Sequence, residues 1–247
     1  MNVIRLRGGL GNQLFQYAFG QTMENVAYDI SWYKKGNREY LLDKFNLDVK
    51  ISDAINKEEV REEGFDLGVI NKRDCNISGY WQSPLFFETQ KEILKENIQV
   101  KETFYTEEFI DLKEEISNVN SVGVHVRRGD FLQSNAHVVM PLKYYRSAIE
   151  IMESLIEDPI FYMFSDDINW CKANFKGVNF FHLKGYLDFE LLKTCKHKII
   201  PNSTFGWWSA YLNGETVICP QKWYKKNQEL SVVRRQLLPK DWIKLNV

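Results

Sequence analysis

The 247-residue chain contains no run approaching the ~20 apolar residues of a membrane span. Its first residues, MNVIRLRGGLGNQ, lack the apolar core of a signal peptide. The four cysteines, Cys75, Cys171, Cys195 and Cys219, lie far apart with no C-x-x-C pair. Neither a zinc knuckle nor a disulfide framework is indicated, and free thiols fit a reducing compartment. Neither sign of charge is in excess: 32 basic and 33 acidic side chains leave a net −1. Without a basic surplus, nucleic acid is not an expected partner. There is no internal repeat and no low-complexity linker. The expected location is the cytoplasm, with contact to the inner face of a membrane only through a partner or substrate.

What is present is aromatic-rich, at 14% of residues including seven Trp and twelve Tyr. Such a content suits a packed core as well as stacking on sugars or bases. The chain opens on a short strand, Val3 to Leu6, a glycine turn, and an amphipathic run carrying Leu14, Phe15, Ala18 and Phe19. A second strand is expected over Val26 to Trp32. The unit is Rossmann-like, yet its loop is GGLGNQ rather than G-x-G-x-x-G, so it fails as a dinucleotide fingerprint. Residues 37–118 are irregular and charged, apart from a helical pattern at 107–118. From Ser121 onward, strands alternate with helices, which implies parallel sheet. The expected division is an N-terminal domain over 1–119 and a C-terminal domain over 120–247, with the tail free to pack back.

Three strands of the second half finish in polar clusters: His125-Val126-Arg127-Arg128-Gly129-Asp130, Ser165-Asp166-Asp167 and Asn202-Ser203-Thr204. In a parallel sheet all three lie on one edge, where open α/β sheets bind ligands. Asn202-Ser203-Thr204 opens a helix, a place that suits phosphate. Arginines offer forked donors to phosphate oxygens, and a carboxylate accepts from the N1 and N2 hydrogens of guanine. Each cluster also has a plainer reading: a helix cap, a macrodipole-favoured acidic start, or an ion pair. The shared edge favours a site. Asp166-Asp167 is not a D-x-D metal motif, and Trp207-Trp208, on a buried helix, reads as core before it reads as a sugar platform.

GGLGNQLFQYAFG, HVRRGDF, FSDDINW and CKHKIIPNSTFGWWSAYL, in that order, resemble the bacterial α-1,2-fucosyltransferases of glycosyltransferase family 11. Pro201, Gly206 and Ser209 depart from the family's usual small residue, Ser and Gly at these places. The resemblance implies a GT-B-like α/β fold of two Rossmann-like domains, the first on the acceptor side. It implies inverting transfer of L-fucose from GDP-fucose to the 2-hydroxyl of a terminal galactose, on an oligosaccharide or lipid-linked glycan. No metal and no cofactor are expected. His125, Asp166 and Asp167 are implied to hold guanosine, and Ser165 to belong to the donor-binding residues. Arg127, Arg128, Asn202, Ser203 and Thr204 are implied to hold the diphosphate, and Asn12 and Gln13 to face the fucose or diphosphate.

Bond breaking leaves extra negative charge on GDP, which arginine and helix-start amides must stabilise. Strand alternation sets His125 and Arg127 on one face, so Arg127 is the catalytic candidate and Arg128 the structural one. Asp130 is either the general base or the lock of an arginine. The competing readings are transfer of another GDP-sugar or another linkage, a glycosidase with paired carboxylates, and a non-catalytic sugar-binding protein.

Overall fold

In the computed structural model, residues 1–36, 38–54, 58–135, 137–224 and 236–246 are described. The strands are β1 (Asn2–Arg5), β2 (Val26–Asp29), β3 (Glu58–Arg61), β4 (Cys75–Ser78), β5 (Ser121–Val126), β6 (Ile160–Ser165), β7 (Asn179–Phe181), β8 (His197–Ile199), β9 (Val217–Pro220) and β10 (Ile243–Leu245). The helices are α1 (Leu10–Gly20), α2 (Lys91–Asn97), α3 (Glu107–Ser117), α4 (Leu142–Leu155), α5 (Ile168–Asn174), α6 (Gly185–Thr194) and α7 (Thr204–Asn213). They fall into two units. The first holds residues 1–101 and, from the tail, the described residues 236–239; the second holds 102–224 and 240–246.

The first unit is built on a four-stranded parallel sheet of order β2-β1-β4-β3. The chain leaves β1 through Gly8, whose φ of +86° is left-handed. A side chain there would also collide with Asn12 of the first helical turn. Helix α1 is enclosed on nearly every side, with Asn12 the exception. Its Phe19 stacks on Trp81 at 4.2 Å between ring centroids. The strand expected to reach Trp32 stops at Asp29, because the Asp29 carboxylate accepts the Ser31 amide at 2.8 Å and turns the chain. Two strands, β3 and β4, emerge from the stretch that reads as irregular.

The second unit carries a six-stranded sheet of order β10-β9-β8-β5-β6-β7, with every pairing parallel. Counted from β5, this is the 3-2-1-4-5-6 order of dinucleotide-binding folds, and the order reverses between β5 and β8. All six residues of β5 are buried. Val122, Val124 and Val126 lie in a core with Tyr144, Tyr145, Ala148 and Met152 of α4. Each such valine contributes roughly 1.5–3 kcal/mol of burial. The alternate residues Gly123 and His125 meet Leu192 and the α7 residue Phe205.

Helix α3 belongs to this second unit, so the boundary falls at 101/102 rather than near 119. Its Lys113 reaches Glu190 of α6 at 3.4 Å and its Glu115 accepts the Tyr162 hydroxyl at 2.9 Å. Strand β10, unforeseen in the tail, extends the sheet beside β9. Among the described residues, no helix is long and apolar enough to cross a membrane.

Candidate functional site

The polar strand ends do meet on one edge. β5 pairs with β6 on one side and β8 on the other, so its exit at Arg127 lies at the switch point of the sheet. The turn that follows rests on the β6 end. Asp166 accepts the Arg128 amide through Oδ1 at 2.8 Å and faces Arg127 Nη1 through Oδ2 at 3.0 Å. A side chain on Gly129 would put its Cβ 2.5 Å from that carboxylate and force the Asp166 side chain to shift. Arg127 Nη2 donates to Asp130 at 2.6 Å, and its guanidinium lies 5.6 Å from the Phe131 ring centre.

Arg128 is held differently. Its Nε donates to Asp167 at 3.0 Å and its guanidinium lies over Trp170 at 4.0 Å. Asp167 also caps α5, accepting the Trp170 amide at 3.2 Å, and its own amide donates to Ser165 Oγ at 2.9 Å. Ser165, Asp166 and Asp167 therefore form a bracket beneath the Arg-Arg-Gly-Asp turn. The two carboxylates, expected to face guanosine, serve the turn and the cap in this arrangement. Both arginine side chains keep part of their surface in solvent, 23% for Arg127 and 17% for Arg128. Such pairs order the forks more than they add to stability.

Across the switch point, α7 begins without a side-chain cap. Ser203 sits at the N-cap in an extended conformation, but its hydroxyl bonds no amide of the first turn. Those amides have no partner inside the helix, and the dipole adds positive potential. Asn202 is buried; its Nδ2 donates to the Trp223 carbonyl at 2.7 Å and its Oδ1 is enclosed without a partner. Thr204 is half-buried at the first helical position. An uncapped helix start after the strand that pairs with β5 has the chemistry that suits an anion.

His125, expected at the donor site, is only 5% exposed, its ring 5.1 Å from that of Phe205, so it packs beneath the start of α7. Burial first, and the Arg127 charge second, push its pKa down to about 3, leaving a neutral imidazole. Gln13 is fully buried: Nε2 donates to the carbonyls of Gly8 and Glu39, and Oε1 accepts the Leu41 amide. It ties the glycine loop to residues 39–41. Asn12 is half-buried and accepts from Gln82 at 2.9 Å. Arg128 does hold the turn, but through Asp166 and Asp167; the carboxylate on Asp130 goes to Arg127. Trp207 and Trp208 are core, edge to face at 5.2 Å.

The sequence reading missed Phe131 and Trp170, the aromatic faces that carry the two guanidiniums. Their signal was an aromatic residue one place beyond Asp130 and three beyond Asp167. Phe131 itself stacks on His137 at 4.3 Å, and His137 Nδ1 lies 2.9 Å from Ser134 Oγ.

The model of glycosyl transferase family 11 matches residues 54–246. The chain belongs to that family. As a family 11 protein it is 28% identical to an alpha-1,2-colitosyltransferase of Escherichia coli, across 98% of each chain. It is 25% identical to the O-antigen biosynthesis glycosyltransferase WbnK of the same organism, across 97% of this chain and 99% of that one. A galactoside alpha-(1,2)-fucosyltransferase 1 of Saimiri boliviensis boliviensis is 35% identical, over 51% of this chain and 38% of its own.

Among solved structures, the fucosyltransferase NodZ from Bradyrhizobium superposes with a TM-score of 0.55 at 15% identity, covering 86% of this chain and 92% of that one. A glycosyl transferase of family 9 from Veillonella parvula gives 0.53 at 8% identity, covering 99% and 86%. At these identities the likeness speaks to fold alone. The family 11 protein is a glycosyltransferase of the GT-B type, two α/β units each built on a parallel sheet.

Proposed function

We propose that this glycosyltransferase moves L-fucose from GDP-fucose to the 2-hydroxyl of a terminal galactose, with inversion and without a metal ion. The observation that carries the reading is the pairing of Arg127 with the uncapped start of α7 on either side of the sheet's switch point. A nucleoside diphosphate placed there meets a forked cation and free backbone amides. Both act on the charge that grows on the leaving diphosphate, the task metal ions perform elsewhere. To do so, Arg127 turns one edge of its fork from Asp130 toward phosphate. Asp130 holds Arg127 at 2.6 Å, which favours the lock over the base.

The acceptor is a galactose-terminated oligosaccharide or lipid-linked glycan, taken on the side of the first unit. A cytoplasmic enzyme working at the inner face of a membrane fits such an acceptor. The names of two relatives support the α-1,2 linkage. One of them also favours a second reading, a colitosyl donor, because that relative matches along nearly the whole chain.

The test is incubation with GDP-fucose and with GDP-colitose, each against galactose-terminated oligosaccharides, with products read by mass and linkage. Transfer of fucose to the galactose 2-hydroxyl, unaffected by EDTA, is expected. Preference for the colitosyl donor moves the conclusion to the second reading. Turnover abolished by EDTA and restored by manganese overturns the metal-free charge argument.

A further inference from the structure

At the carboxyl ends of β1, β2 and β4, wholly within the first unit, lies an open cleft of about 490 Å³. That is within the range of small-molecule sites, about 300–1,000 Å³. Its walls include Arg5, Arg7, Asp29, Trp32, Asp53 and Ser78. It also sits at a reversal of strand order, since β1 is followed by β2 on one side and by β4 on the other.

The two arginines differ in charge balance. Arg5 is neutralised: its guanidinium lies 3.1 Å from Glu59 and 3.8 Å from Asp29. Arg7 has no carboxylate within ion-pair distance among the described residues. Its guanidinium lies 4.5 Å over the Tyr80 ring, and its Nε is enclosed without a hydrogen-bond partner. The fold fixes it there. Buried Gln16 accepts the Arg7 amide at 2.9 Å and donates to the Gly79 carbonyl at 2.9 Å, which clamps the ends of β1 and β4 together. Tyr80 follows Gly79 directly, so the clamp brings ring and guanidinium face to face. A guanidinium has five donors in a planar fork, and this one stands at a cleft edge with donors to give.

The rest of the wall suits a sugar. Trp32 is half-buried and brings an apolar ring to the lining; Asp53 is exposed and has a carboxylate able to accept from hydroxyls. We propose that this cleft is an acceptor subsite for an acidic glycan, with the carboxylate of a uronic acid unit on Arg7 and the neighbouring ring on Trp32. The inference rests on the proposed function only for calling the ligand an acceptor.

The test is binding to the full chain without any donor, so that it stands apart from transfer. The probes are a galactosyl-glucuronic acid disaccharide and its neutral galactosyl-glucose counterpart, followed by saturation-transfer NMR titration. The acidic disaccharide is expected to bind about tenfold more tightly or better. Arg7→Gln should erase that difference without weakening the neutral sugar, and Arg7→Lys should keep part of it. Equal binding of the two sugars, or an unchanged preference in Arg7→Gln, overturns the proposal. If Arg7→Gln does not fold, retention of the preference by Arg7→Lys supports the charge and its complete loss in a folded Arg7→Lys overturns it. Failure of the transferase reading shows separately, as no transfer from GDP-fucose to either sugar while binding persists.

Discussion

Asp166 and Arg127 face each other at 3.0 Å, and the other oxygen of the same carboxylate accepts the Arg128 amide at 2.8 Å. One side chain just past the end of β6 thus fastens both the side chain of one arginine and the backbone of the next. The two arginines part company beyond that point. Arg127 ends against Asp130 and Phe131 on the turn, while Arg128 folds back onto Asp167 and Trp170 of the neighbouring helix.

Their replacement by lysine should therefore have opposite signatures. Arg127→Lys keeps the charge but loses the fork, and kcat should fall on the order of 10²-fold with little change in Tm. Arg128→Lys loses the stacked, forked contact with Trp170 and Asp167. It should cost about 1–2 kcal/mol of stability, a fall in Tm of roughly 3–6 °C, with a smaller loss of rate. The measurements are kcat at saturating donor and thermal melts of both variants. A dead Arg128→Lys beside a merely unstable Arg127→Lys would invert the assignment.

Asp166→Asn separates a bracket from a nucleobase contact. As a bracket, the amide still accepts from the Arg128 backbone but no longer answers the Arg127 charge. Tm should fall by roughly 2–6 °C, with the preference for GDP over UDP retained. Calorimetry with both nucleotides decides it. Loss of that preference at an unchanged Tm would return the carboxylate to guanine.

Much of the second unit was legible because its signals are local. Val122, Val124 and Val126 announce a buried strand through their own alternation, and Asn202-Ser203-Thr204 announces a helix start through residue type. The first unit was harder. β4 is Cys-Asn-Ile-Ser and β3 is Glu-Glu-Val-Arg, short strands with too few apolar residues to show a period. Gln13 looked ligand-facing because its partners, the backbone of Glu39 and Leu41, lie 26 and 28 residues away. No local pattern carries that distance. His125 was placed on the correct face of β5, but only the packing of Phe205 and Gly206 shows that the face is closed there.

Gly206 tests that closure. A Cβ added to it lies 2.7 Å from His125 Nδ1 and 3.1 Å from Ile200, both in an enclosed layer. Gly206→Ala should overpack the contact and cost about 1–3 kcal/mol. Gly206→Ser, the residue more usual in the family at this place, brings the same crowding but supplies a hydroxyl to an imidazole nitrogen that has no partner. It should be more stable than Gly206→Ala by about 1 kcal/mol. Urea unfolding of the two variants checks the order, and a serine variant no better than alanine would place the hydroxyl out of reach of Nδ1.

The same histidine makes the second unit sensitive to mild acid. In the folded chain its pKa is about 3, depressed chiefly by burial and then by Arg127, against an ordinary value near 6.5. Below pH 6.5 the unfolded chain takes up a proton that the folded chain refuses, so protonation favours unfolding. Stability is therefore full above pH 6.5 and declines as pH falls toward 3, by about 1.4 kcal/mol per pH unit. Between pH 6.5 and 5 the His125 share is about 2 kcal/mol. His197, whose pKa is also lowered by burial, adds a loss of the same sign. His125→Gln, which carries no proton in this range, should lower stability at pH 7 by disturbing the contact with Phe205, yet lose less on moving to pH 5 than the unaltered chain. Urea titrations of both proteins at pH 5, 6 and 7 measure that difference. Parallel pH dependences for the two would mean that His125 takes up its proton in the folded protein and is not sealed beneath α7.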